Sequence, residues 1–314
     1  MSNPLHLLCF LLISLFWGGS FLAIGISVQH FPPIFSAFLR SLVGMTGILF
    51  YLLLKRRSFY SKVWLQSMGA GVFTMGIAWV FVFWGEKFVA PALACVLNAA
   101  VPIFSVLLIP LMTPHDKLTR NKILGVLIGF AGVVLIFWPE LIVGITPELK
   151  GLASILMMSL SYAIGVLWTR RFVHRTHNAI NIFYQCFGSA IILLLFTLFF
   201  ERPHTSLQWS WTGFAAIFYL GFFSTAIAWL LFFKLLKEVG TLQTTAVTYC
   251  MPLVAILLDF FVLHKVMLPI QTLGTVIILC GVFLINKRKA LDSRFRGNDM
   301  RGRNDNPKPQ PKTA

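Results

Sequence analysis

Charge is what this chain lacks. Of 314 residues only 11% are Asp, Glu, Lys or Arg, and the acids number 10. A soluble domain carries about 25% charged residues. A chain with less than half of that has too few charges to cover a water-facing surface, so a soluble enzyme is excluded. Metal and disulfide frameworks are missing as well. Cys9, Cys95, Cys186, Cys250 and Cys280 each sit in an apolar run, with no CxxC spacing. No Walker sequence, HExxH or hydrolase nucleophile motif occurs, and His174 and His177 belong to a basic loop with Arg170, Arg171 and Arg175. No cofactor or metal is expected. The net charge of +16 is unevenly placed, because nine of the 26 basic residues lie beyond Ile285. A basic tail and short loops do not make a nucleic-acid surface, and none is expected to bind. The lipid bilayer is the expected environment.

What the chain has in abundance is apolar length: 58% of its residues are hydrophobic. A bilayer core of about 30 Å takes about 20 apolar residues as helix. Ten runs qualify, at 5–28, 34–54, 63–84, 90–112, 122–138, 151–169, 178–200, 211–236, 240–263 and 269–286. The first is long, lacks a basic leader and runs straight into further spans, so it reads as a span and not a cleaved signal. With the N-terminus in the cytoplasm, the inner loops and tail hold 21 basic residues and the outer loops four, namely Lys87, Lys150, Arg202 and Lys265. Both termini are therefore expected in the cytoplasm, in a cell (inner) membrane. Residues 287–314, rich in Arg, Gly, Asn, Asp and Pro, are expected to be a disordered tail.

The chain also repeats itself. Leu124–Leu135 matches Leu273–Leu284 at an offset of 149, including Gly125 with Gly274 and Gly132 with Gly281. Pro102 aligns with Pro252 at 150, and Trp17 with Tyr162 at 145. The duplication gives halves at 5–138 and 151–286. Each holds five spans, an odd number, so the second copy enters the membrane from the opposite side. Inverted repeats of this kind place a central site between the halves of secondary transporters. The expected fold is all-α and integral to the membrane, with ten transmembrane helices in two inverted five-helix repeats.

Particular segments carry a family resemblance. Phe16-Trp17-Gly18-Gly19-Ser20-Phe21, Phe38-Leu39-Arg40, Ala99 to Pro102, and the Leu-Gly and Gly-Val pairs of the fifth and tenth spans resemble EamA-like carriers of the drug/metabolite transporter superfamily. The resemblance spans 5–286. It implies alternating access for a small organic solute, often exported. Where that family often has Glu before the fifth and tenth helices, this chain has Asp116 and Lys265.

The candidate site follows from polar and aromatic side chains inside spans. Arg40 lies about 10 Å deep in the second span at 1.5 Å per residue. At that depth an arginine faces protein or water, either as an anion clamp for substrate or as a structural charge. Trp17, Ser20, Trp79, Asn98, Tyr162, Gln185 and Tyr249 complete the substrate-binding set, and Gln185 aligns with Arg40 at the 145 offset. Asp259, the only acid inside a run, is a coupling or gating candidate and a partner for Arg40. Pro102 and Pro252, which lack a backbone donor at mid-span, are hinge candidates. Trp64, Trp84, Trp138, Trp209 and Trp211 fall at span ends and read as interfacial belt. Gly125, Gly129 and Gly132 suit close helix packing, within one chain or in a homodimer. The leading reading is a secondary carrier that exports an amino acid-like or drug-like metabolite. A polytopic membrane enzyme and a membrane receptor or scaffold are the alternatives.

Overall fold

The computed structural model describes residues 4–112, 119–172, 175–201, 210–239, 244 and 247–285. The expectations for Asp116, His174, Trp209 and the tail 287–314 lie outside the described residues. All regular structure among the described residues is helical. Eight helices are long and apolar enough to cross a membrane: α1 (Pro4–His30), α2 (Pro33–Leu54), α3 (Trp64–Gly85), α4 (Pro91–Met112), α5 (Arg120–Val143), α6 (Pro147–Arg170), α7 (Asn178–Phe200) and α8 (Trp211–Leu235). Two shorter apolar helices follow, α9 (Cys250–Leu263) and α10 (Pro269–Ile285). Proline begins α1, α2, α4, α6 and α10. Its missing N–H costs nothing in the first turn, and its fixed φ suits a helix start. Chain connections leave with the helices they join; between α5 and α6, for example, Gly144 takes a φ of 112°, where a side chain would be strained.

The two halves interlock and do not sit side by side. α1 packs on α8 and α9, and α6 packs on α3 and α4. α2 packs on α7 and α8, and α7 on α2 and α3. α4 meets α9. Exchanging each helix for the one five places along maps this set of contacts onto itself, which is what a duplicated chain with a shared centre requires. At the last pair, α5 crosses α10 at paired glycines, with Ile136, Ile278 and Ile285 packed beside them. A Cβ at Gly125 would lie 2.6 Å from the Gly281 carbonyl, and one at Gly132 2.7 Å from that of Gly274. The repeated glycines are thus spent inside the chain, where small residues let two backbones touch.

Three π turns interrupt the helices, and two of them obey the repeat. α3 widens into a π turn at Val72–Ile77, and α8 does so at Tyr219–Ile227, 147 residues later. A third π turn, Asp259–Leu263, ends α9. π turns leave backbone groups out of register and gather at functional sites. α4 is broken between Asn98 and Val101, where Ala99 and Ala100 donate to carbonyls three residues back, at 3.0 and 2.9 Å. Pro102 is the cause, since it cannot donate to Asn98. Its counterpart Pro252 lies inside the helix Val247–Leu258, which stays continuous around it. At the helix ends Trp64, Trp84, Trp138 and Trp211 are exposed, as belt residues would be.

Candidate functional site

Both halves contribute to a cavity of about 210 Å³ within the bundle. The break in α4 opens onto it, through Asn98, Ala99, Val101 and Pro102. α1 supplies Trp17 and Ser20, α2 Arg40, α3 Trp79, α6 Tyr162 and α8 Trp229. Of the eight binding candidates, six therefore meet here. Trp17 and Tyr162, equivalent in the repeat, enter from equivalent helices.

Arg40 dominates the chemistry of this cavity. It is 7% exposed. Its guanidinium lies over the Trp79 ring at 4.1 Å, within the range where the π face attracts a cation. Nε donates to Thr225 Oγ1 at 3.2 Å, and one terminal nitrogen donates to Ser224 Oγ at 3.4 Å. Both acceptors belong to the π turn of α8. A guanidinium has five N–H donors, so these two contacts leave most of the fork unused. Among the described residues no carboxylate comes within 4 Å of it; the ion pair found there is His6–Glu238, at 3.0 Å. Trp17 is fixed by the same π turn, its Nε1 donating to the Ser224 carbonyl at 3.0 Å. Its ring meets Trp229 at a centroid distance of 5.1 Å. Ser20 Oγ donates back to the Trp17 carbonyl at 2.6 Å. The result is a cation held open-handed among aromatic faces.

Two candidates go elsewhere. Gln185 does not line the cavity. It is buried where α7 crosses α3, with its Oε1 accepting from Thr74 Oγ1 at 2.8 Å and its Nε2 donating to Thr169 Oγ1 at 3.4 Å. Its amide is satisfied by neighbouring helices, which answers the cost of burying it. Asp259 is 2% exposed and its Oδ2 accepts from the Ala92 backbone N–H at 2.9 Å. It therefore caps α4 and does not pair with Arg40, so the expected Arg40–Asp259 couple is absent. A carboxylate at a helix start is held by free N–H groups and the helix dipole, which removes its need for an arginine. The Tyr249 side chain lies outside the described residues.

The sequence reading passed over Ser224 and Thr225, whose hydroxyls orient Arg40. It also passed over Glu86, one residue beyond α3, which is 6% exposed. Glu201 follows α7 and caps α2, its two oxygens accepting from the N–H groups of Ile34 at 2.9 Å and Phe35 at 2.8 Å. Burial raises its pKa against the pull of those N–H groups and of Lys87. Among the described residues no three His, Cys, Asp or Glu gather in a way that would hold a metal ion.

A polytopic all-helical bundle with a solute-sized cavity between two repeats defines a membrane transporter. Comparison with known proteins identifies which kind. The model of the EamA-like transporter family matches residues 5–138 and 149–287, and the chain belongs to that family. It is 24% identical over 275 residues to the uncharacterized transporter YoaV of Bacillus subtilis, covering 87% of this chain and 93% of that protein. It is 26% identical over 280 residues to the uncharacterized inner membrane transporter YedA of Escherichia coli, covering 88% of each. Protein PagO of Salmonella typhimurium is 25% identical over 297 residues, covering 92% of this chain and 96% of its own. The fold matches a protein of known crystal structure with a TM-score of 0.64 at 21% identity, over 91% of this chain and 99% of the other.

Proposed function

We propose that this transporter is a secondary exporter that carries a small organic solute with a carboxylate group across the inner membrane by alternating access. Its repeats run over 5–138 and 151–286, both termini face the cytoplasm, and the chain acts as a monomer or homodimer without a cofactor. The observation that carries the reading is Arg40. A buried guanidinium with no acid partner and most of its donors unused is costly unless something anionic visits it. A planar carboxylate suits the fork in two parallel hydrogen bonds. Trp17, Trp79, Tyr162 and Trp229 supply flat apolar walls for the remainder of the solute, while Ser20 and Asn98 add polar contacts. Inner-loop positive charge supports the orientation.

The experiment compares metabolites in medium and cells, in overexpressing and deleted strains, and then measures flux of the exported solutes in proteoliposomes. Arg40→Gln should abolish export of carboxylates at unchanged folded protein, and Arg40→Lys should restore little, because it keeps charge without the fork. Normal flux per folded Arg40→Gln protein would end the clamp assignment.

A further inference from the structure

Beside Arg40 and Asp259 a third charged side chain is buried in this bundle, and the solute cavity does not use it. Glu86 follows the last turn of α3, with its N–H donating to the Val82 carbonyl at 2.9 Å. Neither carboxylate oxygen has a hydrogen-bond partner, although the residue is 6% exposed. Gly25 of α1 makes room for it, since a Cβ there would lie 3.5 Å from Oε2. Glu86 borders a separate cavity of about 230 Å³, together with Gly25, Gln29, Lys87, Ala90 and Lys265. Val82, one helical turn before it, and Ile24, beside Gly25 in α1, line the central cavity. The side chain thus stands between two cavities, at the end of the bundle that the loop charges assign to the outside.

An orphaned carboxylate is among the most costly things a bundle can bury, and the ordinary remedy is to take a proton. The charged and titratable groups around it favour that remedy. Asp259 on α9 adds repulsion, Arg40 on α2 and the Gly25 backbone of α1 add weaker attractions, and Cys95 on α4 is buried nearby. α6 meets this turn through the uncharged Gly151. Lys87 and Lys265 share the cavity, yet no lysine nitrogen is within 4 Å of the carboxyl. Burial first and Asp259 second raise the Glu86 pKa well above the usual carboxylate range. A neutral carboxyl tolerates this setting. An ionised one demands water or a lysine ammonium, and both reach it only if the cavity widens.

We propose that Glu86 is a proton-binding site whose neutral form keeps the Lys87–Lys265 cavity closed and whose ionisation opens it. The proton is then the coupling ion for transport. The coupling rests on the export reading above, whereas the proton site does not.

The test needs no known solute. The full chain in nanodiscs is titrated with infrared difference spectroscopy, which reads the C=O stretch of protonated carboxyls. In parallel, Val28→Cys, which lines the same cavity, is labelled with a membrane-impermeant maleimide and read by peptide mass. Wild type should lose a protonated-carboxyl band as pH rises above neutrality, and labelling at 28 should accelerate several-fold over the same range. Glu86→Gln, close in shape and permanently neutral, should lack the band and label slowly at every pH. Glu86→Asp should recover a titration. A band unchanged in Glu86→Gln overturns the site, and labelling that stays pH-dependent in Glu86→Gln overturns the gate. Labelling driven by sodium and indifferent to pH overturns the choice of ion. A clamp failure at Arg40 would leave all three readouts unmoved.

Discussion

The crossing of α2 over α8 and the crossing of α7 over α3 are one design used twice, and they end differently. In the first, Arg40 reaches the π turn of α8 through Ser224 and Thr225. In the second, Gln185 reaches the π turn of α3 through Thr74. Each crossing is tight because a glycine on the π-bearing helix lets the other backbone in: Gly221 beneath Arg40 and Gly71 beneath Gln185. One copy then leaves its polar group open to the cavity, and the other seals it between helices. Duplication built the frame. The specific chemistry sits where the two copies diverged.

The largest expected effect breaks that frame. A Cβ at Gly71 would overlap the Gln185 backbone, whereas one at Gly221 meets Val43 Cβ and Cγ1 and stays 2.9 Å from the Arg40 carbonyl oxygen, a longer backbone approach. Gly71→Ala should therefore destabilise by about 3 kcal/mol, the upper part of the ordinary range for overpacking, and outweigh the helix propensity gained. Gly221→Ala should cost less. Thermal unfolding in detergent checks the order, and an equal cost at both positions would mean that α7 yields as readily as α2.

The next effect separates the two polar groups by function. Arg40→Gln should reduce carboxylate export per folded molecule by at least about tenfold, equivalent to about 1.4 kcal/mol. Gln185→Leu should do the opposite: it loses about 1 kcal/mol of stability with its hydrogen bonds and leaves normalised flux within about twofold. Thr74 Oγ1 keeps a second acceptor in the Ala70 carbonyl at 3.0 Å, which limits the damage. Proteoliposome flux beside a melting curve reads both. Equal loss of flux in the two variants would show that Gln185 matters to transport despite its sealed position.

These two residues also measure what was legible beforehand. The ten apolar runs, the repeat and the pairing of Arg40 with Gln185 could be read because spans and offsets leave marks in a linear sequence. So could Trp17, Trp79 and Tyr162, which are large and lie at mid-span. Orientation about a helix axis leaves no such mark in helices that are apolar all round. Gln185 and Arg40 therefore looked alike until the side chains were placed. Asp259 looked like a partner for Arg40 because opposite charges attract, while the N-terminus of α4, its real partner, comes from distant sequence. Glu86 stood just beyond an apolar run beside Lys87 and resembled loop. Its burial depends on Gly25 of α1, a contact that comes from distant sequence.

Smaller effects come from the two acids that cap helices of the opposite half. Asp259 caps α4 and Glu201 caps α2, both at proline-started turns. Asp259→Ala should cost about 1–2 kcal/mol, the range for a lost cap. Glu201→Gln keeps an acceptor and should cost less, as seen in smaller shifts of melting temperature.

The smallest effect distinguishes those caps by pH. Glu201 is partly exposed, and burial raises its pKa even though two N–H groups and Lys87 pull it down. A carboxyl with a raised folded pKa binds more protons folded than unfolded. Its contribution to stability is complete below the unfolded value of about 4.3 and is lost as pH rises through the higher folded value. Wild-type stability should therefore fall slightly as pH climbs out of that range, and Glu201→Gln should flatten this part of the slope. Glu86 contributes a slope of the same sign, so the reading is the difference between wild type and Glu201→Gln, repeated in the Glu86→Gln background. If the N–H contacts outweigh burial, the difference reverses and stability rises with pH. Melting temperatures taken from about pH 4 to 7 decide between those signs.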